Sequence, residues 1–236
     1  MRIYMTAIEA VKEIERELYE MGISSHPNTY QDVNVKDNPD FDTRELLNYS
    51  YSVTSPLIKL WKLIGEFGLS GDYITEEICE RTSGVATNPG ASWERRREVW
   101  EPFLHQGKFA YTYSERLQGQ LNAVARILKE SPDSRQAVVP IYWLGDNFKR
   151  GGQSRVPCSM FYQFVSREIS GVRRLDLTYV MRSCDFYTHF MYDMVLAILL
   201  QERVAGYLDQ PLGVFSHFIT SLHAFRKDWK QRPNIF

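Results

Sequence analysis

The chain has 236 residues, 44% of them apolar, and a formal net charge of −1. That length suits one domain with a sizeable core, and the balanced charge provides no global field to recruit nucleic acid. Cys79, Cys158 and Cys184 are an odd set with no CxxC pair, which argues against a disulfide framework or a zinc cluster and suits a reducing cytoplasm.

Along the chain, the opening "MRIYMTAIEAVKEIERELYEMG" is rich in Glu and Lys, unlike a signal peptide. Within it Thr6 and Glu9 form a capping box. Ile8, Val11, Ile14 and Leu18 fall on one face, which predicts a helix over "TAIEAVKEIEREL". Residues 22–42 are polar and irregular. "TRELLNYSYSV" at 43–53 reads as the start of a second helix and "PLIKLWKLIGEF" at 56–67 as a third. The Gly- and Thr-rich residues 68–92 read mostly as loop. "SERLQGQLNAVARILKE" at 114–130 predicts one helix capped by Ser114, with Leu117, Leu121, Val124 and Leu128 as its stripe. The period then changes. "RQAVVPIYWL", "SMFYQFVS" and "RRLDLTYVMRS" read as strands. "DMVLAILLQERVAGYL" at 193–208 is apolar nearly all round, as in a buried helix, and "LGVFSHFITSLHAF" returns to strand pattern. No apolar run is long enough to span a bilayer. The expected class is α+β, with the sheet packed on helices.

Three segments gather unusual groups. "RVPCSMFYQF" at 155–164 puts Cys158 at the polar mouth of a strand, beside Arg155. Two readings stay open for it: a small buried hydrophobe, or a thiolate favoured by neighbouring positive charge. "SPDSRQ" puts Arg135 at the start of another strand, and "VMRSCD" ends a third with Arg182, Ser183 and Asp185. A guanidinium beside a hydroxyl suits a phosphate; ordinary surface ion pairs are the alternative.

In order and spacing, "VPCSMFYQF", "SPDSRQ" and "MRSCDFYTHFMYD" resemble the thymidylate synthase and deoxycytidylate hydroxymethylase family, over about residues 43–225. The resemblance implies one catalytic domain over residues 1–236 with a mixed β-sheet packed against helices, and a sheet-mediated homodimer with shared active sites. It implies Cys158 as the nucleophile at C6 of a pyrimidine, and Arg182 and Ser183 on the nucleotide phosphate. Arg135 would reach the phosphate in the partner subunit. Asp185 would lie between pyrimidine and folate. "TRELLNYSY" resembles the helix that bears a catalytic glutamate, which makes Glu45 that candidate. "REVWEPF" and "YTYSERL" imply Trp100 near the folate and Tyr113 near the thiol. The implied cosubstrate is 5,10-methylenetetrahydrofolate, with no metal, no nucleic acid, no membrane, and a cytoplasmic setting.

Asp193 is the most informative departure. The family usually has an asparagine eleven residues after the phosphate-binding Arg, where it reads uracil; Arg182 plus eleven is Asp193. An ionised carboxylate has no donor for O4 of uracil, whereas cytosine offers N4–H and, after thiolate addition, a protonated N3. Hydroxymethylases of the family carry Asp here, so the implied reaction is dCMP to 5-hydroxymethyl-dCMP, a chemistry that suits a phage-like source. As an alternative, Asp193 is an N-cap residue for the helix beginning there. Ser159 stands where synthases usually have His, and Gln136 where a second Arg is usual. The sugar-reading His-x-Tyr pattern leaves His217 and His223 as candidates. The sequence ends thirteen residues after His223, short of the family's usual C-terminal lid, which fits hydroxymethylases better. Thymidylate synthase, dUMP or CMP hydroxymethylase, and a non-catalytic nucleotide-binding relative are the rival readings.

Overall fold

Strand β1 (Arg2–Tyr4) leads into helix α1 (Ala7–Met21), which begins where the sequence marks it. Thr6 Oγ1 accepts from the Glu9 amide and the Glu9 carboxylate accepts from the Thr6 amide, a cap that contributes about 1 kcal/mol. The Ile8, Val11, Ile14 and Leu18 face is buried. The computed structural model describes residues 2–30, 33–148 and 155–229. Three short strands follow α1: β2 (Ile23–Ser25), and the pair β3 (Thr29–Tyr30) and β4 (Val33–Asn34).

Residues Thr43–Val53 form strand β5, not a helix. Leu and Glu favour helix locally, but β1 pairs with this segment on one side and a C-terminal strand on the other. Its Tyr49, Tyr51 and Val53 are buried in the core. Propensity differences of roughly 0.5 kcal/mol per residue yield to such pairing.

Helix α2 (Leu60–Glu66) matches expectation, but α3 (Gly71–Thr82) occupies a stretch expected to be loop. Ser70 caps it by accepting from the Tyr73 amide, and Tyr73, Ile74, Ile78 and Arg81 form its buried face. A short helix α4 (Arg97–Trp100) follows. The predicted helix at 114–130 is two: α5 (Tyr113–Leu117) and α6 (Gln120–Glu130), separated at Gly119, whose φ is 70°. The cap is Thr112, in a capping box with Glu115. Ser114 Oγ instead donates to the Thr87 carbonyl.

The remaining strands are β6 (Val138–Pro140), β7 (Ser159–Ile169), β8 (Val172–Met181) and the two-residue β9 (Cys184–Asp185). Then come helix α7 (Met191–Tyr207), strand β10 (Leu212–Phe225) and the short α8 (Arg226–Trp229). The main sheet runs β1-β5-β10-β8-β7-β6, with β2 on β5 and β9 on β10. It is mixed: β8 and β10 are parallel, joined through α7, while β7–β8 and β5–β10 are antiparallel. This is the expected α+β architecture, with α7 buried on nearly every side. Among the described residues no helix is long and apolar enough to cross a membrane.

One cross-strand row positions the site. Tyr162, Tyr179, His217 and Tyr51 are register partners on β7, β8, β10 and β5. Tyr179 stacks on Tyr162 at 4.4 Å and on His217 at 4.6 Å between ring centroids. The start of β7 and the end of β8 lie at one end of this row.

Candidate active site

At that end lies an open cleft whose empty space, its solvent-filled mouth included, is about 900 Å³. Its lining brings together Cys158, Ser183, Asp185 and Asp193 with Glu77, Glu80 and Arg81 of α3 and with Arg96, Trp100, Tyr111 and Tyr113. Segments distant in sequence thus meet around the Cys158 sulfur.

Cys158 is half-buried, just before β7. The Arg182 amide donates to the Cys158 carbonyl at 2.9 Å. The Arg182 guanidinium donates to the Pro157 carbonyl at 2.9 Å and the Val156 carbonyl at 3.2 Å. Arg182 therefore clamps the turn that presents the thiol. The residue is exposed overall, and two bonds leave further guanidinium donors free. Burial pushes the Cys158 thiol above its usual range, Arg182 and Arg155 pull it down, and Asp193 and Asp185 push it up. In the ligand-free site the two cations do not outweigh burial.

Asp185 and Asp193 divide the roles that sequence left open. Asp185 is the cap: its Oδ1 accepts from the amides of Tyr187 and Thr188, opening a π-helical turn over Phe186–Phe190. α7 starts at Met191, so Asp193 lies inside the first turn and caps nothing. Its Oδ2 accepts from Cys184 Sγ at 3.6 Å. Burial raises the Asp193 carboxyl to about 6, against the pull of Arg81 and Arg96. Both arginines are buried and line the cavity, and each has an Nη1 with no hydrogen-bond partner.

Of the other residues singled out from sequence, Ser183, Tyr113 and Trp100 line the cavity. Tyr113 Oη is 2.8 Å from Ser159 Oγ. Trp100 packs against His189 at 5.3 Å, and its Nε1 is buried without a partner. His223 sits beside the site as the register partner of Asp185. Glu45, on β5, accepts from Ser221 Oγ and is not among the lining residues. His217 is also outside the cavity. It is 1% exposed, stacked in the aromatic row and bonded through Nδ1 to Tyr51 Oη at 3.0 Å, and burial lowers it to about 3. It is a core histidine, so the expected sugar contact does not come from it. Arg135 is exposed ahead of β6, where its carbonyl accepts from Gln163, and does not reach this cavity within the chain. The C-terminal end beyond Trp229 lies outside the described residues.

Sequence reasoning missed Glu77, Glu80, Arg81 and Arg96. Glu77 accepts from Arg81 Nε at 2.7 Å and Ser92 Oγ at 2.7 Å; Glu80 accepts from the Ala91 and Ser92 amides. The available signal was the Tyr73–Ile74–Ile78 spacing, which marks a helix face that carries Arg81 inward.

The family model described as thymidylate synthase matches residues 76–234. The chain belongs to the thymidylate synthase family. It is 26% identical over 186 residues to a putative thymidylate synthase of Methanocaldococcus jannaschii, covering 78% of this chain and 76% of that protein. It is 25% identical over 115 residues to the thymidylate synthase of Streptococcus mutans, covering 49% of this chain and 40% of that one. The matched segment thus spans about two fifths of such bacterial relatives. In three dimensions the chain resembles the crystal structure of thymidylate synthase from T4 phage, with a TM-score of 0.70 at 18% identity, over 93% of this chain and 77% of that one. The family's mixed sheet and flanking helices are therefore present nearly end to end.

Proposed function

We propose that the protein adds a one-carbon unit to C5 of a pyrimidine nucleoside monophosphate, with dCMP as substrate and a hydroxymethyl group as the addition. The carrying observation is Asp193: a carboxylate lining the same cavity as Cys158, relieved of capping by Asp185. An acceptor there matches the N4–H and protonated N3 of cytosine and repels O4 of uracil.

In this reading the Cys158 thiolate adds to C6, which makes C5 nucleophilic. Arg182 holds the turn bearing the sulfur and turns its free donors to the phosphate, with Ser183 beside it. Phosphate binding fixes C6 over the sulfur. In this reading Glu77 and Glu80, which line the cavity as Glu45 does not, relay the C5 proton through water. Methylenetetrahydrofolate, when bound, supplies the one-carbon unit. The Trp93, Trp100 and Phe109 cluster in the lining suits a flat heteroaromatic ring, with Trp100 Nε1 a buried donor without a partner among the described residues. A homodimer accords with the half-buried Phe161, Val180 and Phe218 on the sheet and with Arg135, exposed and free to reach a partner's phosphate. A cytoplasmic setting accords with the three free cysteines.

A second reading, methylation of dUMP, draws on the relatives' names and on the raised Asp193 carboxyl, which can donate to O4 when protonated. The test is mass spectrometry of dCMP, CMP and dUMP after incubation with the protein and methylenetetrahydrofolate. Hydroxymethyl-dCMP is expected. A methylated dUMP product supports the second reading, and no product from any of the three rejects both.

A further inference from the structure

The hydroxyls behind the cavity form a chain whose direction can be counted. Tyr113 Oη, at the cavity wall, is 2.8 Å from Ser159 Oγ, and Ser159 Oγ is in turn bonded to Tyr179 Oη. Ser159 and Tyr179 are both 0% exposed. Three hydroxyls carry three protons, but the chain contains only two hydrogen bonds, so one proton must point elsewhere. The Tyr162 hydroxyl, on the ring stacked against Tyr179, has no hydrogen-bond partner and does not relieve Tyr179.

Only one arrangement leaves none of these three O–H groups orphaned: Tyr179 donates to Ser159, Ser159 donates to Tyr113, and Tyr113 turns its proton into the cavity. In the reverse order the Tyr179 proton has no hydrogen-bond acceptor among the described residues. If both tyrosines donate to Ser159, the serine proton has no acceptor. Each alternative strands a buried O–H and is disfavoured by roughly tenfold or more.

We propose that Ser159 and Tyr179 are positioning residues that fix Tyr113 as a one-way hydrogen-bond donor to a ligand acceptor above Cys158. This rests on the functional reading above and extends it to two buried side chains that never touch substrate. The acceptor class is a neutral or anionic oxygen, whether a ring carbonyl or an ordered water. The same geometry prevents Tyr113 from acting as an acceptor toward Ser159 and a proton acceptor toward the ligand at once without losing its own proton, a loss that burial opposes.

The experiment combines Ser159→Ala, Tyr179→Phe, their double variant and Tyr113→Phe. Thermal unfolding needs no substrate. Ser159→Ala strands the Tyr179 hydroxyl and lowers Tm; adding Tyr179→Phe removes the stranded group and restores most of the loss. Turnover is read as tritium release from 5-tritiated dCMP with methylenetetrahydrofolate. Tyr113→Phe, Ser159→Ala and the double variant each lose about 10–100-fold in kcat with little change in KM, and Ser159→Ala adds nothing to Tyr113→Phe. A double variant that regains wild-type kcat together with its Tm overturns the proposal, as does multiplication of the Ser159→Ala and Tyr113→Phe losses. If wild-type protein releases no tritium from dCMP, CMP or dUMP, the functional reading fails by itself. Hydroxyl-proton exchange by NMR on tyrosine-labelled ligand-free protein then decides the relay. Slow exchange at Tyr179 with fast exchange at Tyr113 supports it; equal protection of the two overturns it.

Discussion

Replacing Asp193 with Asn exchanges an acceptor for a donor–acceptor pair at one point of the cavity. The consequence can be worked from the surroundings of the residue. In the folded protein its carboxyl titrates at about 6 rather than the 3.8 of a free side chain, chiefly through burial. At pH 8 it is therefore ionised in all but about 1% of molecules, accepts from N4–H of cytosine, and opposes O4 of uracil. An asparagine donates to O4 and accepts from N3–H. Mismatched polar sites lose up to ~10⁴-fold, so the ratio of kcat/KM for dCMP over dUMP should fall by about 10³-fold or more in Asp193→Asn at pH 8. The wild-type ratio should itself depend on pH. Below about 6 the carboxyl gains a proton and becomes a donor, so preference for dCMP should decline by about tenfold per pH unit as the ionised fraction falls. Competition assays with both nucleotides from pH 5 to 8 read both effects. A flat wild-type ratio, or a variant that still prefers dCMP, refutes the claim that this carboxylate reads the base.

Asp193→Asn should also stabilise the ligand-free fold. A carboxyl whose folded pKa lies above its unfolded value binds its proton more tightly when folded, so stability declines as pH rises from 3.8 to about 6 and stays lower above that. Removing the charge should recover about 1–3 kcal/mol at pH 8 and little at pH 4, read by urea unfolding at the two pH values. Glu77→Gln should lower C5 tritium release by about 10²–10⁴-fold, the usual range for an acid–base group. Glu45→Gln, outside the cavity, should stay within about threefold. Asp146→Ala should destabilise the fold by about 3–5 kcal/mol in urea. It leaves Arg116, whose side chain is 6% exposed and which now makes two bonds of 2.8 and 2.9 Å to Asp146, buried without its counterion.

The elements legible in the sequence are those whose signals are local. The Thr6–Glu9 box, the alternating runs of β7 and β8 and the all-round apolar α7 announce themselves within a few residues. Cys158, Ser183, Asp185 and Asp193 were likewise identifiable, because each ends or follows a readable element, and all four meet at one cavity. What sequence concealed was non-local. "TRELLNYSYSV" has helix-forming residues, but its strand conformation is set by partners more than a hundred residues away in β10. Glu45 followed that error out of the site. Arg81 and Arg96 look like ordinary solvated charges, and only tertiary packing buries them, the first under Tyr113 of α5 and the second against Tyr192 of α7. His217 has the right residue type for a ligand contact but lies buried in the aromatic row, stacked on Tyr179 and bonded to Tyr51.

The manner in which those arginines are held bears on what Asp193 can do. Arg81 lies over the Tyr113 ring at 4.0 Å and bonds Glu77; Arg96 lies over the Tyr192 ring at 3.9 Å and donates to the Thr188 carbonyl. Neither makes a hydrogen bond to Asp193, yet both lower its pKa through space. A direct bidentate pair would occupy the carboxylate oxygens and hold them away from any ligand. Cations held on aromatic faces supply field without occupying those oxygens, so the charge can be partly offset while the acceptors stay available. Asp185 completes the arrangement from the other side. By taking the amides of Tyr187 and Thr188 through the π-helical turn, it starts α7 early enough that Asp193 falls within the first turn, where the helix N-terminus favours negative charge. Apart from the long contact from Cys184 Sγ, the Asp193 carboxylate oxygens are thus left open by three separate features, two of them on α3 and the 92–100 segment, which lie far from it in sequence.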